Sequence, residues 1–211
     1  MARAVLTPEQ FAAEANVSRA TLERLTAYAA LLTKWQATIN LVGRDTLDDL
    51  WRRHMLDSAQ LVQYLPAGAR VVTDLGSGAG FPGLVLSIVA DLHVHLVESV
   101  GRKTAFLQEA ARVTRARVTI HRDRIESVDP WPSDAVTSRA LAPLPELLKL
   151  AAPFLIAATP DLEPVCLFLK GAQAEQELTE ARKSWKIAVE RFPSLAEPAG
   201  CVLRIRGVSR E

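Results

Sequence analysis

The segment "VVTDLGSGAGFPGLVLSIV", residues 71–89, contains a short apolar run, then four glycines within eight residues, then a second apolar run. A β-prone run followed by a glycine-rich loop and a helical pattern is typical of the ligand loop at the carboxyl end of a parallel strand. Glycines in that loop let a ligand reach the backbone, and the following helix directs free N–H groups at it. The segment therefore predicts an α/β domain that binds a ligand.

Strand-like and helix-like patterns alternate from this segment to the end of the chain. Alternating βα units indicate a largely parallel sheet covered by helices, and two consecutive strands at the end indicate an antiparallel edge. Seven strands are expected, in "RVVTDL", "VHLVES", "ARVTIHR", "DAVTSRA", "PVCLFLKG", "WKIAVERF" and "CVLRIRG".

The first third of the chain has helical spacing of apolar residues. Thr7, Pro8 and Gln10 form a capping-box pattern, Ser18 can cap a second helix, and a third helix is expected over "DTLDDLWRRHMLDSAQLVQYL". "PAGAR" then marks a break. We expect a helical extension over residues 1–66, packed on a ligand-binding domain over residues 67–211.

The composition limits the other function classes. The chain has 211 residues and a formal net charge of +1, so overall charge neither requires nor excludes nucleic acid. Cys166 and Cys201 stand apart in apolar runs, and we expect no metal site. No apolar stretch approaches the roughly 20 residues of a membrane span, and "MARAVLTPEQ" lacks the apolar centre of a secretory signal. We therefore expect a cytoplasmic protein.

The glycine loop leaves two cofactor classes open. A GxGxxG frame starts at Gly78 and is typical of dinucleotide sites, but the first glycine after the strand is Gly76, which gives GxGxG. Glu98 ends the next strand, where a carboxylate can accept hydrogen bonds from both ribose hydroxyls of NAD or S-adenosylmethionine (SAM). Asp74, just before the glycines, favours the cationic SAM over a pyrophosphate.

Further motifs follow one another in a specific order: "INLVG" (39–43), "RHMLDS" (53–58), "DLGSGAGFPG" (74–83), "ESVGRKTAFL" (98–107), "SRALAPL" (138–144) and "LFLKG" (167–171). In this order and spacing the chain resembles the bacterial 16S rRNA guanine-N7 methyltransferases of the RsmG (GidB) type. Ser77 stands where that family usually has threonine, which keeps the hydroxyl.

The resemblance implies a class I SAM-dependent methyltransferase of Rossmann-like fold, with SAM as cofactor and no metal. The implied substrate is a guanine in the conserved loop of 16S rRNA near the decoding centre, and the implied partner is the small ribosomal subunit. We expect a monomer. The cofactor-binding residues expected from the loop and the resemblance together are Asp74, Gly76, Ser77, Gly78, Gly80, Phe81, Glu98, Ile125, Glu126 and Arg139.

The chemistry of guanine N7 agrees with the absence of an evident general base. N7 carries an in-plane lone pair, so the enzyme must mainly align it with the sulfonium methyl. Arg139 is expected to position the reactants, by pairing with either the SAM carboxylate or the guanine.

Basic residues are concentrated between Arg102 and Arg124, with seven Arg or Lys against two acids. This stretch fits either an ordinary solvated face or contacts with RNA phosphates. Lys170 fits a phosphate contact or a plain strand-end lysine, and His54 and Asp57 fit either helix packing or the substrate cleft. The candidate RNA-contacting residues are His54, Asp57, Arg102, Lys103, Arg115, Arg117, Arg122 and Lys170.

Two other functions remain compatible with parts of the sequence. An NAD-dependent oxidoreductase would use the GxGxxG frame, and a non-catalytic ribosome assembly factor could have kept the fold. The first leaves "RHMLDS" and "SRALAPL" unexplained, and the intact glycine loop with Glu98 disfavours the second.

Overall fold

A seven-stranded sheet forms the centre of the protein in a computed structural model, which describes residues 4–210. The strands are β1 (Val71–Leu75), β2 (His93–Val97), β3 (Val118–His121), β4 (Ala135–Arg139), β5 (Val165–Lys170), β6 (Trp185–Pro193) and β7 (Cys201–Arg210). Their order across the sheet is β3-β2-β1-β4-β5-β7-β6. The first five are parallel and β7 is antiparallel to both of its neighbours, which confirms the predicted mostly parallel sheet.

Two capped helices begin the described chain. In α1 (Pro8–Glu14), Thr7 and Gln10 form the reciprocal capping box that the sequence predicts. In α2 (Arg19–Gln36), the Ser18 hydroxyl accepts a hydrogen bond from the Thr21 N–H.

The prediction of a single regular helix over residues 45–65 is wrong. The chain forms a 3₁₀ turn (Arg44–Asp49), a π-helical turn (Trp51–Leu56), the short helix α3 (Asp57–Ala59) and another 3₁₀ turn (Gln60–Tyr64). The spacing of apolar residues marks a buried side but does not fix the winding. The π-helical turn is enclosed on most of its circumference, because Arg52, His54, Met55 and Leu56 are all buried. Residues 44–64 are called the irregular segment below.

The remaining helices cover the two faces of the sheet. They are α4 (Gly83–Ala90), α5 (Gly101–Thr114), α6 (Leu144–Ala151), continued by a 3₁₀ turn (Ala152–Phe154), and α7 (Ala174–Ala181). The N-terminal helices, α4 and α5 share one apolar cluster with the sheet, for example through Phe11, Leu32, Leu84 and Phe106. A second cluster joins α6, α7 and the β6–β7 hairpin on the other face. The N-terminal helices and the irregular segment therefore share a core with the sheet.

The order of the strands places two loops side by side. β1 and β4 are neighbours, and the chain continues from β1 to β2 on one side and from β4 to β5 on the other. The loops after β1 and β4 meet at this switch point, where open α/β sheets bind ligands.

Candidate functional site

The glycine loop after β1 is fixed to the end of β2. The Glu98 carboxylate accepts hydrogen bonds from the N–H of Gly78, at 2.9 Å, and of Val100, at 2.7 Å. A carboxylate offers about four acceptor positions, so Glu98 keeps capacity for ligand hydroxyls. Gly76 has a φ of +69°, and a Cβ there would lie 2.7 Å from the Leu141 side chain. Glycine adopts this backbone conformation without strain, and a larger residue would also have to displace the Leu141 side chain.

Tyr28 of α2 packs against the glycine loop, and the sequence analysis did not identify it as a site residue. Its hydroxyl donates a hydrogen bond to the Ala79 carbonyl, and its ring lies 5.3 Å from that of Phe81. A Cβ on Gly80 would lie 2.9 Å from the Tyr28 oxygen, so Gly80 serves this packing and does not line the cavities described below. The sequence offers only the helical spacing of Tyr28, which is equally typical of an ordinary core residue.

Asp74 lies beneath the loop and is fully buried. Its carboxylate accepts hydrogen bonds from the Gly83 N–H, at 3.2 Å, and the Thr137 hydroxyl, at 3.1 Å. Burial raises the pKa of Asp74 to about 6, against the lowering effect of these hydrogen bonds. Asp74 thus connects β1, β4 and the start of α4, and it does not line any of the cavities described below.

Three neighbouring cavities open around the switch point. The Glu98 cavity, of about 450 Å³, lies between the glycine loop, Glu98 and residues 123–126. The Phe81 cavity, of about 330 Å³, lies between the same loop, Phe81 and residues 41–46. The Lys170 cavity, of about 470 Å³, lies between Lys170, the irregular segment and residues 194–201. The expected cofactor residues that line the first two are Gly76, Ser77, Gly78, Phe81, Glu98, Ile125, Glu126 and Arg139.

Ala140 lines all three cavities. Its φ is +53°, a left-handed conformation that a residue with a Cβ adopts at some energetic cost. Such a conformation persists where the surroundings over-determine it, and it is frequent at functional sites. Ala140 therefore lies where the three cavities adjoin.

Lys170 holds the loop that carries Ala140. Its amine donates a 2.8 Å hydrogen bond to the Ala142 carbonyl and pairs with Glu177 at 2.7 Å. The same carboxylate accepts a 2.7 Å hydrogen bond from the Leu144 N–H. Lys170 is nearly buried, at 9% side-chain exposure. The amine that we expected to bind an RNA phosphate is therefore already engaged by Ala142 and Glu177.

Arg139, at the end of β4, is held by the irregular segment. It donates hydrogen bonds to the Arg53 carbonyl, at 3.0 Å, and to His54 Nδ1, at 2.7 Å, and it pairs with Asp57 at 3.4 Å. Its guanidinium carbon lies 5.0 Å from the centre of the Phe81 ring. The structure thus brings the separate "RHMLDS" and "SRALAPL" motifs together around one cation.

The basic stretch is divided between opposite edges of the sheet. Arg102 and Lys103 begin α5, and the Arg122 guanidinium lies beside Gly101, so all three are at the carboxyl edge. α5 spans roughly 21 Å at 1.5 Å per residue and ends at Thr114, so Arg115, which follows it, lies at the other edge. Arg117 precedes β3 there and pairs with Asp91. One continuous basic surface from Arg102 to Arg124 is therefore not formed.

Comparison with known proteins agrees with this geometry. The family model described as rRNA small subunit methyltransferase G matches residues 21–200. The chain belongs to the rRNA small subunit methyltransferase G (GidB) family. A relative of that name from Rhodospirillum rubrum is 56% identical over 205 residues, 97% of this chain and 100% of the relative. Another from Gluconobacter oxydans is 46% identical and covers 92% of this chain and 98% of its own length.

Solved structures confirm the class I methyltransferase fold of this GidB family chain. A TehB-like SAM-dependent methyltransferase from Corynebacterium glutamicum has a TM-score of 0.54 at 14% identity, over 90% of this chain and 98% of that one. A ribosomal protein L11 methylase from Lactobacillus delbrueckii has a TM-score of 0.55 at 16% identity, over 81% and 80%. Within residues 4–210 no helix is long and apolar enough to cross a membrane, and no acid, histidine and cysteine cluster fits a metal ion.

Proposed function

We propose that this protein transfers the methyl group of SAM to N7 of a guanine in 16S rRNA of the small ribosomal subunit. The observation that carries the proposal is the common wall of the three cavities at Ala140. A cofactor seated along the glycine loop and a base in the Lys170 cavity would touch there. Family membership supports the rRNA substrate, and the GxGxxG alternative loses support because Gly80 and Gly83 do not line the cavities.

The residues of the first two cavities fit SAM. Glu98 retains acceptor capacity for the ribose hydroxyls, Ile125 and Glu126 line the same cavity and can pack against the adenine, and Arg139 can pair with the methionine carboxylate. SAM supplies an electrophilic methyl group on a sulfonium. The protein's residues have to orient the two reactants, because the N7 lone pair needs no base. The contacts of His54 support a reaction without a general base, because both of its ring nitrogens already have hydrogen-bond partners.

Cations around the cavities support an RNA substrate. Lys103 and Arg124 line the Glu98 cavity and form no ion pair with any residue between 4 and 210. Unpaired cations beside the proposed cofactor cavity are suited to contacts with RNA phosphates. N7 is inaccessible in the deep groove of an A-form helix, so the target guanine has to be in a loop or a distorted site. We also propose that the protein acts as a monomer in the cytoplasm, where the ribosome is.

Binding of labelled SAM and labelled NAD tests the cofactor, and transfer of label to small-subunit RNA tests the reaction. We expect SAM binding, no NAD binding and label in 16S rRNA. SAM binding without transfer to naked rRNA or to subunits lacking the modification would favour the non-catalytic alternative.

A further inference from the structure

A chain of hydrogen bonds runs from Arg139 through His54 and Thr46 to the backbone. Arg139 Nη2 lies 2.7 Å from His54 Nδ1, and His54 Nε2 lies 2.7 Å from the Thr46 hydroxyl oxygen. That hydroxyl lies 2.6 Å from the Gly43 carbonyl oxygen. The chain joins the loop after β4 to the start of the irregular segment.

The two ends of the chain determine the direction of every bond. A guanidinium only donates and a carbonyl only accepts. His54 Nδ1 must therefore accept from Arg139, and the Thr46 hydroxyl must donate to Gly43. Thr46 is then left to accept from His54, so the His54 proton is on Nε2. His54 is a neutral imidazole in one tautomer.

The surroundings of His54 agree with this protonation state. Burial, followed by the charges of Arg139 and Arg53, lowers the pKa of His54 to about 3. The ring also lies 4.9 Å from the ring of Phe81, which fixes its plane. A protonated His54 would place a cation against Arg139 and remove the acceptor that Arg139 uses.

These contacts hold Arg139 while leaving part of it free for a ligand. Nη1 donates to the Arg53 carbonyl and Asp57, and Nη2 donates to His54. Nε and the second Nη2 proton have no acceptor among residues 4–210. Arg139 lines both the Phe81 cavity and the Lys170 cavity, so these donors are on a residue of the wall that the two cavities share.

We propose that His54 is a positioning residue whose neutral imidazole, held in one tautomer by Thr46, fixes the Arg139 guanidinium between the Phe81 and Lys170 cavities. This role of His54 rests on the proposed function, because a fixed Arg139 guanidinium contributes to the reaction only if cofactor and base meet beside it. Thr46 contributes to the same positioning of Arg139, because its hydroxyl selects the His54 tautomer.

The tautomer can be measured without any activity. ¹⁵N spectra of histidine-labelled protein, with the His54 signals assigned from their disappearance in His54→Asn, report the state of each ring nitrogen. We expect a proton on Nε2 and none on Nδ1 from pH 5 to pH 8. A proton on Nδ1, or protonation of the ring within this range, would overturn the proposal.

Methyl-transfer rates under single-turnover conditions test the consequence. His54→Phe keeps the ring beside Phe81 and removes the acceptor, so we expect a roughly tenfold slower rate, as for removal of an ordinary hydrogen bond. His54→Asn places an amide oxygen at the position of Nδ1 and should recover most of that decrease. In an Arg139→Ala background, His54→Phe should change the residual rate less than about twofold, because the group it positions is gone.

A matched pair at Thr46 keeps the test independent of the folding of the His54 variants. Thr46→Val preserves the shape and removes the hydroxyl, whereas Thr46→Ser keeps the hydroxyl, so the serine variant should be several times faster. Equal rates for the two, or an equal decrease from His54→Phe with and without Arg139, would contradict the positioning role. Failure of the wild-type protein to methylate RNA would contradict the proposed function, while the tautomer measurement still tests His54 in the free protein.

Discussion

Glu98 accepts a 2.9 Å hydrogen bond from the N–H of Gly78, so the end of β2 holds the loop that follows β1. The same carboxylate accepts a 2.7 Å hydrogen bond from the Val100 N–H, just before α5. One acidic residue therefore shapes the loop and presents acceptors to the cavity beside it.

Glu98→Ala is expected to weaken SAM binding by at least roughly tenfold, because it removes the ribose acceptors and releases Gly78. Isothermal titration gives the affinity. Glu109→Ala, at a partly exposed residue of α5 paired with Arg112, is the control and should leave the affinity unchanged. Equal affinities for wild type and Glu98→Ala would place the cofactor elsewhere.

Lys170→Met should destabilise the protein by about 2 kcal/mol, because Glu177 would be left partly buried without its cation. Urea unfolding measures this change. Glu177→Gln in the same chain should restore part of the stability. Since Lys170 holds Ala142, we expect slower methyl transfer but an unchanged salt dependence of RNA binding. A salt slope lower by roughly 0.7 in Lys170→Met would instead show that Lys170 binds an RNA phosphate.

The division of the basic stretch predicts two different effects on RNA binding. Arg102→Gln with Arg122→Gln removes cations at the cavity edge of the sheet and should lower the salt slope by roughly 0.7 for each RNA phosphate that these arginines neutralise. Arg115→Gln with Arg117→Gln removes two cations at the opposite edge and should leave affinity and slope unchanged. Filter binding at several salt concentrations compares the pairs, and the reverse ranking would contradict this placement of the RNA.

Asp74 gives the stability of the folded protein a specific pH dependence. Its folded-state pKa, about 6, lies above the ordinary value of 3.8, so the folded state holds the proton more tightly. The contribution is therefore fully present below pH 3.8 and is lost as the pH rises through 6. Because Asp74→Asn lacks this titration, the stability of wild type relative to the variant should fall by about 3 kcal/mol across this window. A difference independent of pH, in urea unfolding from about pH 4 to pH 7, would contradict the assignment.

The sequence predicts the sheet and most helices well because alternating patterns and caps are local signals. "GRKTAFLQEAARVT" coincides with α5, and Ser18 caps α2 as expected. The irregular segment was not predicted, because its apolar spacing is the same signal that a regular α-helix gives. The periodicity shows only which residues are buried.

The contacts between site residues could not be predicted from the sequence. His54, Asp57 and Arg139 could each be proposed from motifs, but their meeting around one guanidinium depends on the irregular segment crossing the end of β4. The support of Tyr28 under Gly80 and the hydrogen bond from Lys170 to Ala142 likewise join residues far apart in the sequence. The separation of Arg102 from Arg115 could have been predicted, because a helix that begins at the carboxyl edge of a parallel sheet ends at the other edge.

Locating the methyl group is the most direct test of the proposed function. Purified protein and methyl-labelled SAM are incubated with small ribosomal subunits that lack the modification, and the RNA is digested with nuclease and analysed by mass spectrometry. We predict N7-methylguanosine at one loop position of 16S rRNA, and none with Glu98→Ala at a SAM concentration limiting for that variant. A methyl group on another base or atom, or none with the wild-type protein, would contradict the proposed reaction.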